Sequence, residues 1–221
     1  MANDILNGLS PNELNKEILQ LISKDQRGLP PRSKIFAAVA KLQRFDVLPE
    51  NATTEDINKA VANNCVELNR GLAATKGVPS VFYARELIHG SLYPGTLSAF
   101  GNGIYFAVPS SAEHPKCCAT FPKISIVALK YTTGETPGAL LRAVLKEGSR
   151  MAQREDLTQD LRENRNRAKR AGITDLGSFA AALGFDAFYS DYVYEDSDER
   201  VYTVLNRGML IVQKVGILVP A

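Results

Sequence analysis

The chain has 221 residues, of which 45% are hydrophobic and 23% charged, and a formal net charge of +2. This ordinary globular composition excludes wholesale disorder, and the near-neutral charge gives no argument by itself for a nucleic acid or a membrane as partner. No basic segment followed by a long apolar stretch opens the chain, and its apolar runs are too short to cross a bilayer. We therefore expect a cytoplasmic protein.

The cysteines and histidines form no pattern typical of a disulfide framework or a metal site. Cys65, Cys117 and Cys118 are odd in number and include an adjacent pair, which is a poor basis for disulfides. His89 and His114 are not spaced with the cysteines as zinc ligands are. We expect free thiols in a reducing compartment and no bound metal.

The first part of the chain shows only helical patterns. Ser10 before Pro11 is typical of a helix start, and apolar residues then recur at helical spacing over Pro11–Lys24. A second helix is predicted over residues 33–44, and Thr53 opens a third that runs toward Asn64. We predict an N-terminal helical region over residues 1–47 and a second domain over residues 48–221.

Beyond residue 64 short strands and further helices are predicted. The strands are expected at residues 65–69, ending at Arg70-Gly71, and at 103–107, 123–131, 187–189, 201–205 and 209–215. The helices are expected at residues 78–88, 139–171 and 176–183. Helices precede most strands without regular βαβ alternation, so the fold class predicted is α+β.

Two short segments are candidates for chemistry. Gly101-Asn102-Gly103 stands before Ile104-Tyr105-Phe106, where two glycines let the backbone approach a ligand and the aromatic pair offers a face to a flat ring. A Gly-x-Gly turn into a buried aromatic strand is the structural alternative. Arg70-Gly71 offers a guanidinium fork for phosphate or ribose hydroxyls, although a lone arginine is more often a solvated surface group.

In chain order, four segments resemble the ADP-ribosyltransferase superfamily, in particular its phage-associated and toxin-like branch. Val66-Glu67-Leu68-Asn69-Arg70-Gly71 is similar to the strand that opens the family's catalytic core. The segment from Phe100 to Ala107 is similar to the Gly-x-Gly-Ile-Tyr-Phe-Ala motif, which poly-ADP-ribose polymerases share. Residues 175–187 and 204–213 fit the same branch. The resemblance covers residues 48–213.

The resemblance implies a split pair of small β-sheets with NAD⁺, the co-substrate, bound in the cleft between them. It implies that Arg70 holds the ribose or phosphate side of NAD⁺, that the backbone of Gly71 grips the nicotinamide amide, and that Tyr105 stacks on the nicotinamide ring. The remaining residues implied to bind NAD⁺ are Asn102, Gly103, Phe106, Ser110 and Ser111.

The chemistry of the family also needs a carboxylate. Loss of nicotinamide leaves positive charge on the ribose, and a fixed acid near the 2′-hydroxyl stabilises that charge. The resemblance puts this acid at the start of a late strand, where Glu199 is the nearest candidate, although Val201 occupies the position of the polymerase glutamate. Arg85 and His89 compete with Arg70 for the first role, because residues 88–91 mimic the histidine–glycine–serine of the polymerases.

We therefore expect an enzyme that transfers ADP-ribose from NAD⁺ to a macromolecular acceptor, as a phage or toxin-system effector in a bacterial or infected host cytosol. The acceptor is a protein, RNA or DNA, and an antitoxin or regulator is a further possible partner. The arginine-rich stretch from Arg142 to Arg170 is a candidate docking surface, with a solvated helix as the alternative. Two rival functions stay open: an NAD⁺ glycohydrolase, and an inactive binding or virion protein with the same fold.

Overall fold

The computed structural model describes residues 4–24, 31–45, 47–73, 80–89, 101–110, 113–132, 138–191 and 199–214. Its helices are α1 Ile5–Gly8, α2 Pro11–Lys24, α3 Pro31–Leu42, α4 Thr54–Ala62, α5 Ser80–His89, α6 Ile126–Lys130, α7 Arg154–Glu163, α8 Arg165–Arg170 and α9 Leu176–Ala182. Its strands are β1 Glu50–Ala52, β2 Val66–Leu72, β3 Ile104–Ala107, β4 Ala139–Leu145, β5 Met151–Gln153, β6 Ala187–Ser190, β7 Val201–Val204 and β8 Leu210–Gln213. A 3₁₀ turn, Arg207–Met209, precedes β8.

The described strands form one mixed eight-stranded sheet in the order β1-β8-β4-β2-β3-β7-β6-β5. Strands β2 and β4 pair antiparallel along seven residues, and β3 and β7 along four. Between these two groups, β2 and β3 share a single residue pair, Asn69 with Ala107. The sheet therefore consists of two four-stranded halves that meet at one pair and separate beyond it. This agrees with the predicted α+β class, and the finer prediction of two separate small sheets stays a prediction.

Each face of the sheet is covered by a different set of helices. A large apolar cluster joins α2, α3, α5 and α9 to one face, with Phe36, Phe106 and Phe179 fully or almost fully buried. On the other face, α4 buries Ile57 against Val144, and α6 covers the neighbouring part of β4. Burial on both faces explains why the central strands are apolar along most of their length.

The N-terminal helices belong to the large cluster. Their apolar faces place Leu14, Ile18, Phe36 and Val39 in it, each no more than 1% exposed. Gln43 adds two hydrogen bonds from its side-chain amide to carbonyls at the end of α9. The helical character of this region is as predicted, and its separation from a second domain at residue 48 stays a prediction.

The predicted strand over residues 123–131 is wrong, because the segment forms the short helix α6. Ser125 caps this helix, with its hydroxyl accepting a hydrogen bond from the Ala128 amide at 2.9 Å. The apolar run that favoured a strand is buried on one side only, with Val127 and Ala128 covered and Ile126 exposed. A short apolar run does not distinguish a strand from a helix, and here the cap and its tertiary partners decide.

The predicted helix over residues 139–171 is wrong in its first half. Residues 139–145 form β4, in which every residue is buried, and Met151–Gln153 forms the edge strand β5. Only α7 and α8 are helical. The alanines and leucines of β4 favour a helix locally, but a position between β2 and β8 satisfies their burial on both faces.

Candidate functional site

The three strands predicted to carry the site are neighbours in the sheet. Arg70 lies in β2, Tyr105 in β3, and Glu199 two residues before β7, and these strands are consecutive in the sheet order. The ladder between β3 and β7 continues past the last strand residue, because the Val108 amide donates to the Arg200 carbonyl at 2.9 Å. Segments more than 120 residues apart in sequence thus converge at the junction of the two halves.

Arg70 places its guanidinium where β2 and β3 separate. One nitrogen, Nη1, donates to the Tyr105 carbonyl at 2.8 Å. Burial lowers the pKa of Arg70 to about 10, and Tyr105 opposes that change by a charge interaction. The side chain thus remains a cation at neutral pH, and within the described part of the chain no carboxylate lies within ion-pair distance of it.

Glu199 is held by four hydrogen-bond donors and is only 2% exposed. Its Oε1 accepts from the Ser110 hydroxyl at 2.8 Å and from the Ile126 amide at 2.7 Å. Its Oε2 accepts from the Ser125 hydroxyl at 2.5 Å and from the Val127 amide at 3.0 Å. These donors replace the water that burial removes from the carboxylate.

The contacts of Glu199 also make it a cap for α6. Two of its donors are free amides of the first turn of that helix, which have no partner inside the helix. A carboxylate has about four acceptor positions, and all of them are occupied in this arrangement. A ligand hydroxyl therefore binds Glu199 only by displacing a donor. Ser110 is the exposed one among its serine partners, whereas Ser125 is fully buried.

Side-chain alternation separates Arg70 from Glu199. Paired residues in neighbouring strands share a face, so Asn69, Ala107 and Val201 point to the side that α6 covers. On that side, Glu199 accepts a hydrogen bond from the first turn of α6. Arg70 follows Asn69 in β2, so its side chain points to the opposite side of the sheet. The two residues lie on either side of β3, and the described contacts of neither reach the other.

Asn69 is a residue of this region that the sequence did not single out. It is fully buried at the junction pair, and its Oδ1 accepts from the Ser125 amide at 2.9 Å. Its Nδ2 has no hydrogen-bond partner among the described atoms. No sequence signal separates Asn69 from its polar neighbours Glu67 and Arg70 in the same strand, whereas Ser125 was detectable as a helix cap once a helix was considered there.

The Gly-Asn-Gly turn has a structural role in this fold. The Asp175 carboxylate accepts from the Asn102 backbone amide at 2.9 Å and from its side-chain amide at 3.0 Å, while also capping α9 through Ser178. Gly101 has φ +89°, and a side chain at Gly103 would lie 2.3 Å from the Thr203 methyl carbon. Asn102 is fully buried, and its contacts with Asp175 tie the turn to the start of α9.

The aromatic pair and Gly71 also have partners within the protein. The Tyr105 hydroxyl donates to the Gly101 carbonyl at 2.6 Å, and the ring is half-buried, whereas Phe106 is buried in the large cluster. A Cβ at Gly71 would lie 1.9 Å from the Ala128 carbonyl oxygen, so the close approach of α6 requires glycine there. Their predicted contacts with nicotinamide stay predictions.

The remaining candidates are placed as follows. Ser111 lies outside the described residues, as do residues 90–100 and the acidic residues between positions 192 and 198. Arg85 and His89 are exposed on α5. Among the described residues no group of three potential ligands is placed to hold a metal ion, and none of the helices is long and apolar enough to span a bilayer.

Comparison of the chain with protein-family models, curated proteins and solved structures gives no significant match. The case for a function therefore depends on the motif segments and on the geometry around Arg70 and Glu199.

Proposed function

We propose that this chain is an NAD⁺-dependent ADP-ribosyltransferase that modifies a macromolecular acceptor, with NAD⁺ bound at the junction of the two sheet halves. The observation that carries the proposal is the electrostatic environment of the Arg70 guanidinium. It is a half-buried cation with a lowered pKa, and its described partner is a neutral carbonyl. Perturbed ionisable groups of this kind cluster at functional sites, and a phosphate or pyrophosphate supplies the negative charge that Arg70 lacks.

The second requirement of the reaction is a carboxylate near the ribose. The proposal assigns this role to Glu199, which requires NAD⁺ to extend past β3 from the side of Arg70 to the side of α6. When the bond between ribose C1′ and nicotinamide breaks, its electron pair leaves with neutral nicotinamide and positive charge develops on the ribose. A carboxylate held rigidly by the Ser125 hydroxyl and two helix amides needs no reorganisation to stabilise that charge. The acceptor's nucleophile then forms the new bond at C1′ and loses its proton.

The proposal requires the ribose 2′-hydroxyl to take the place of one donor on Glu199. The Ser110 hydroxyl is the donor best suited to leave, because Ser110 is exposed and its contact comes from a segment with no helix or strand. The helix amides and Ser125 would stay in place. Binding of NAD⁺ thus exchanges one hydroxyl for another at Oε1, at small net cost.

The occupied carboxylate also favours one rival, an inactive protein in which Glu199 serves only as the cap of α6. The purified chain incubated with NAD⁺ labelled in the adenylate part and with cell lysate distinguishes the possibilities. Transfer predicts label on macromolecules together with released nicotinamide, and protease or nuclease digestion then identifies the acceptor class. Free ADP-ribose with no labelled macromolecule indicates a glycohydrolase. Absence of nicotinamide release rejects both enzymatic functions.

A further inference from the structure

Helix α8 and the last turn of α7 concentrate positive charge. Residues 162–170 carry five cationic side chains against one acidic side chain, Glu163. The four that are exposed form what we call the basic face: Arg162, Arg165, Lys169 and Arg170. Ala168 on the same helix is buried in the large apolar cluster, so packing against the protein fixes which side of α8 faces solvent.

The charge of the basic face is not compensated within the described part of the protein. Two exposed cations elsewhere do have acidic partners, namely Lys59 with Glu55 at 3.0 Å and Arg200 with Asp191 at 2.6 Å. None of the four side chains of the basic face forms an ion pair with a described residue. Like charges three or four residues apart on a helix repel each other and destabilise the helix, and Arg165 and Lys169 have this spacing on α8. A bound anion would reduce this repulsion.

The surroundings of the basic face favour phosphate over a protein surface. Protein interfaces depend on buried aromatic or aliphatic anchors. Among the described residues, the exposed large apolar side chains lie on other elements, and none lies between residues 154 and 170. The exposed polar neighbours of the basic face are the acids Asp160 and Glu163 and the amides Asn164 and Asn166. The Asn164 amide donates to the Asp160 carbonyl at 3.0 Å, and the Asn166 amide is a further donor group on this surface. Cations and amides without apolar anchors are the composition of a surface that contacts a nucleic-acid backbone.

We propose that the basic face binds the phosphate backbone of a nucleic acid. Three of its four cations are arginines, whose planar forks engage phosphate oxygens at two points. Contacts to phosphate carry no base information, so this binding is independent of sequence. The inference goes beyond the proposed function, because it requires neither NAD⁺ nor Glu199.

The test measures binding of the full chain to a fluorescent oligonucleotide, single-stranded and duplex, by anisotropy between 50 and 200 mM salt. With three to four phosphates neutralised, we expect log K to fall against log salt with a slope of about −3 on duplex DNA. The variant carrying Arg165→Gln, Lys169→Gln and Arg170→Gln is expected to bind at least about tenfold more weakly at the lowest salt, with a nearly flat slope. A variant carrying Lys41→Gln, Lys59→Gln and Lys214→Gln removes the same charge from exposed sites elsewhere and is expected to keep the parent slope.

Equal weakening by the two triple variants overturns the proposal, since it would show dependence on net charge alone. So does parent binding to poly-glutamate as tight as to DNA, which indicates an acidic protein partner. If the triple variant does not fold, the single variant Arg165→Gln is measured instead. We expect it to reduce the slope of log K against log salt by about 1. Binding by a Glu199→Gln chain separates this inference from the proposed enzymatic function, because that chain is expected to keep the parent affinity.

Discussion

Two arginines in adjacent strands, the buried Arg142 and the half-buried Arg70, have opposite electrostatic surroundings. Arg142 in β4 is 1% exposed and is paired with Glu67 at 2.7 Å. Its guanidinium also donates to the Asn58 side chain at 2.9 Å and to the Gln213 side chain at 3.3 Å. Arg70 in β2 donates to one backbone carbonyl and has no acidic partner among the described residues.

The difference shows how a structural cation can be told from a candidate binding cation. Burial of a charge is tolerated when the protein supplies a counter-charge and hydrogen bonds, and Arg142 has both. Arg70 has a hydrogen-bond partner but no counter-charge among the described residues, and desolvation lowers its pKa to about 10. We therefore expect Arg142 to matter for folding, and Arg70 to matter for a ligand that completes its surroundings.

The largest expected effect is on stability. Arg142→Ala leaves Glu67 buried without its counter-charge, so we expect the free energy of unfolding to fall by about 3–5 kcal/mol. Urea denaturation followed by circular dichroism measures it. The double variant Arg142→Leu with Glu67→Leu removes both charges and is expected to recover a substantial part of the loss. If the single and double variants are equally unstable, the ion pair is not the reason for the loss.

The next effect concerns Glu199. Glu199→Gln keeps the shape of the side chain and removes its charge, so we expect kcat for nicotinamide release to fall about a hundredfold or more with NAD⁺ affinity nearly unchanged. Ser125→Ala weakens the same helix cap and removes one donor to the carboxylate but leaves it charged, so we expect a smaller loss of kcat than for Glu199→Gln. A similar loss of kcat in both variants assigns Glu199 to the cap of α6.

For Arg70 we expect a loss of NAD⁺ binding without a loss of stability, which is the opposite of the effect expected for Arg142. Arg70→Ala removes a charge-assisted contact to NAD⁺ worth about 1.5–3 kcal/mol, while the free energy of unfolding stays the same or rises because an uncompensated cation is removed. Calorimetric titration with NAD⁺ and urea denaturation measure the two effects. Arg70→Lys is expected to restore little binding, since it lacks the planar fork. Arg85→Ala and His89→Ala are the comparisons, and a loss confined to either of them contradicts the assignment.

The smallest effect is expected at Ser110. Its contact with Glu199 is exposed and is the one that the ribose hydroxyl replaces, so Ser110→Ala should change the free energy of unfolding by about 1 kcal/mol or less and leave kcat near the parent value. Thermal melts and nicotinamide release measure this. A collapse of kcat equal to that of Glu199→Gln shows that Ser110 stays on the carboxylate during the reaction.

Much of the secondary structure was predictable because local signals specify it. The predicted bounds of α2 are those observed, and the capping box of Thr53 with Asp56 opens α4 as expected. Arg70 and Tyr105 lie on the strands predicted to carry them, whereas Glu199 lies two residues before the strand at whose start the resemblance puts the acid. The errors fell on continuous apolar runs, which carry no period that separates a strand from a helix.

The sequence alone determined the amphipathic helices, the Gly-Asn-Gly turn into β3, and the residue types available for chemistry, because caps, glycines and helical periodicity act over a few residues. Tertiary structure decided that residues 139–145 form a central strand and that Ser125 starts a helix. It also decided the environments of Arg70 and Glu199. Their exposure and hydrogen-bond partners come from segments far away in the chain, and no local pattern indicates which distant donor or counter-charge reaches a side chain.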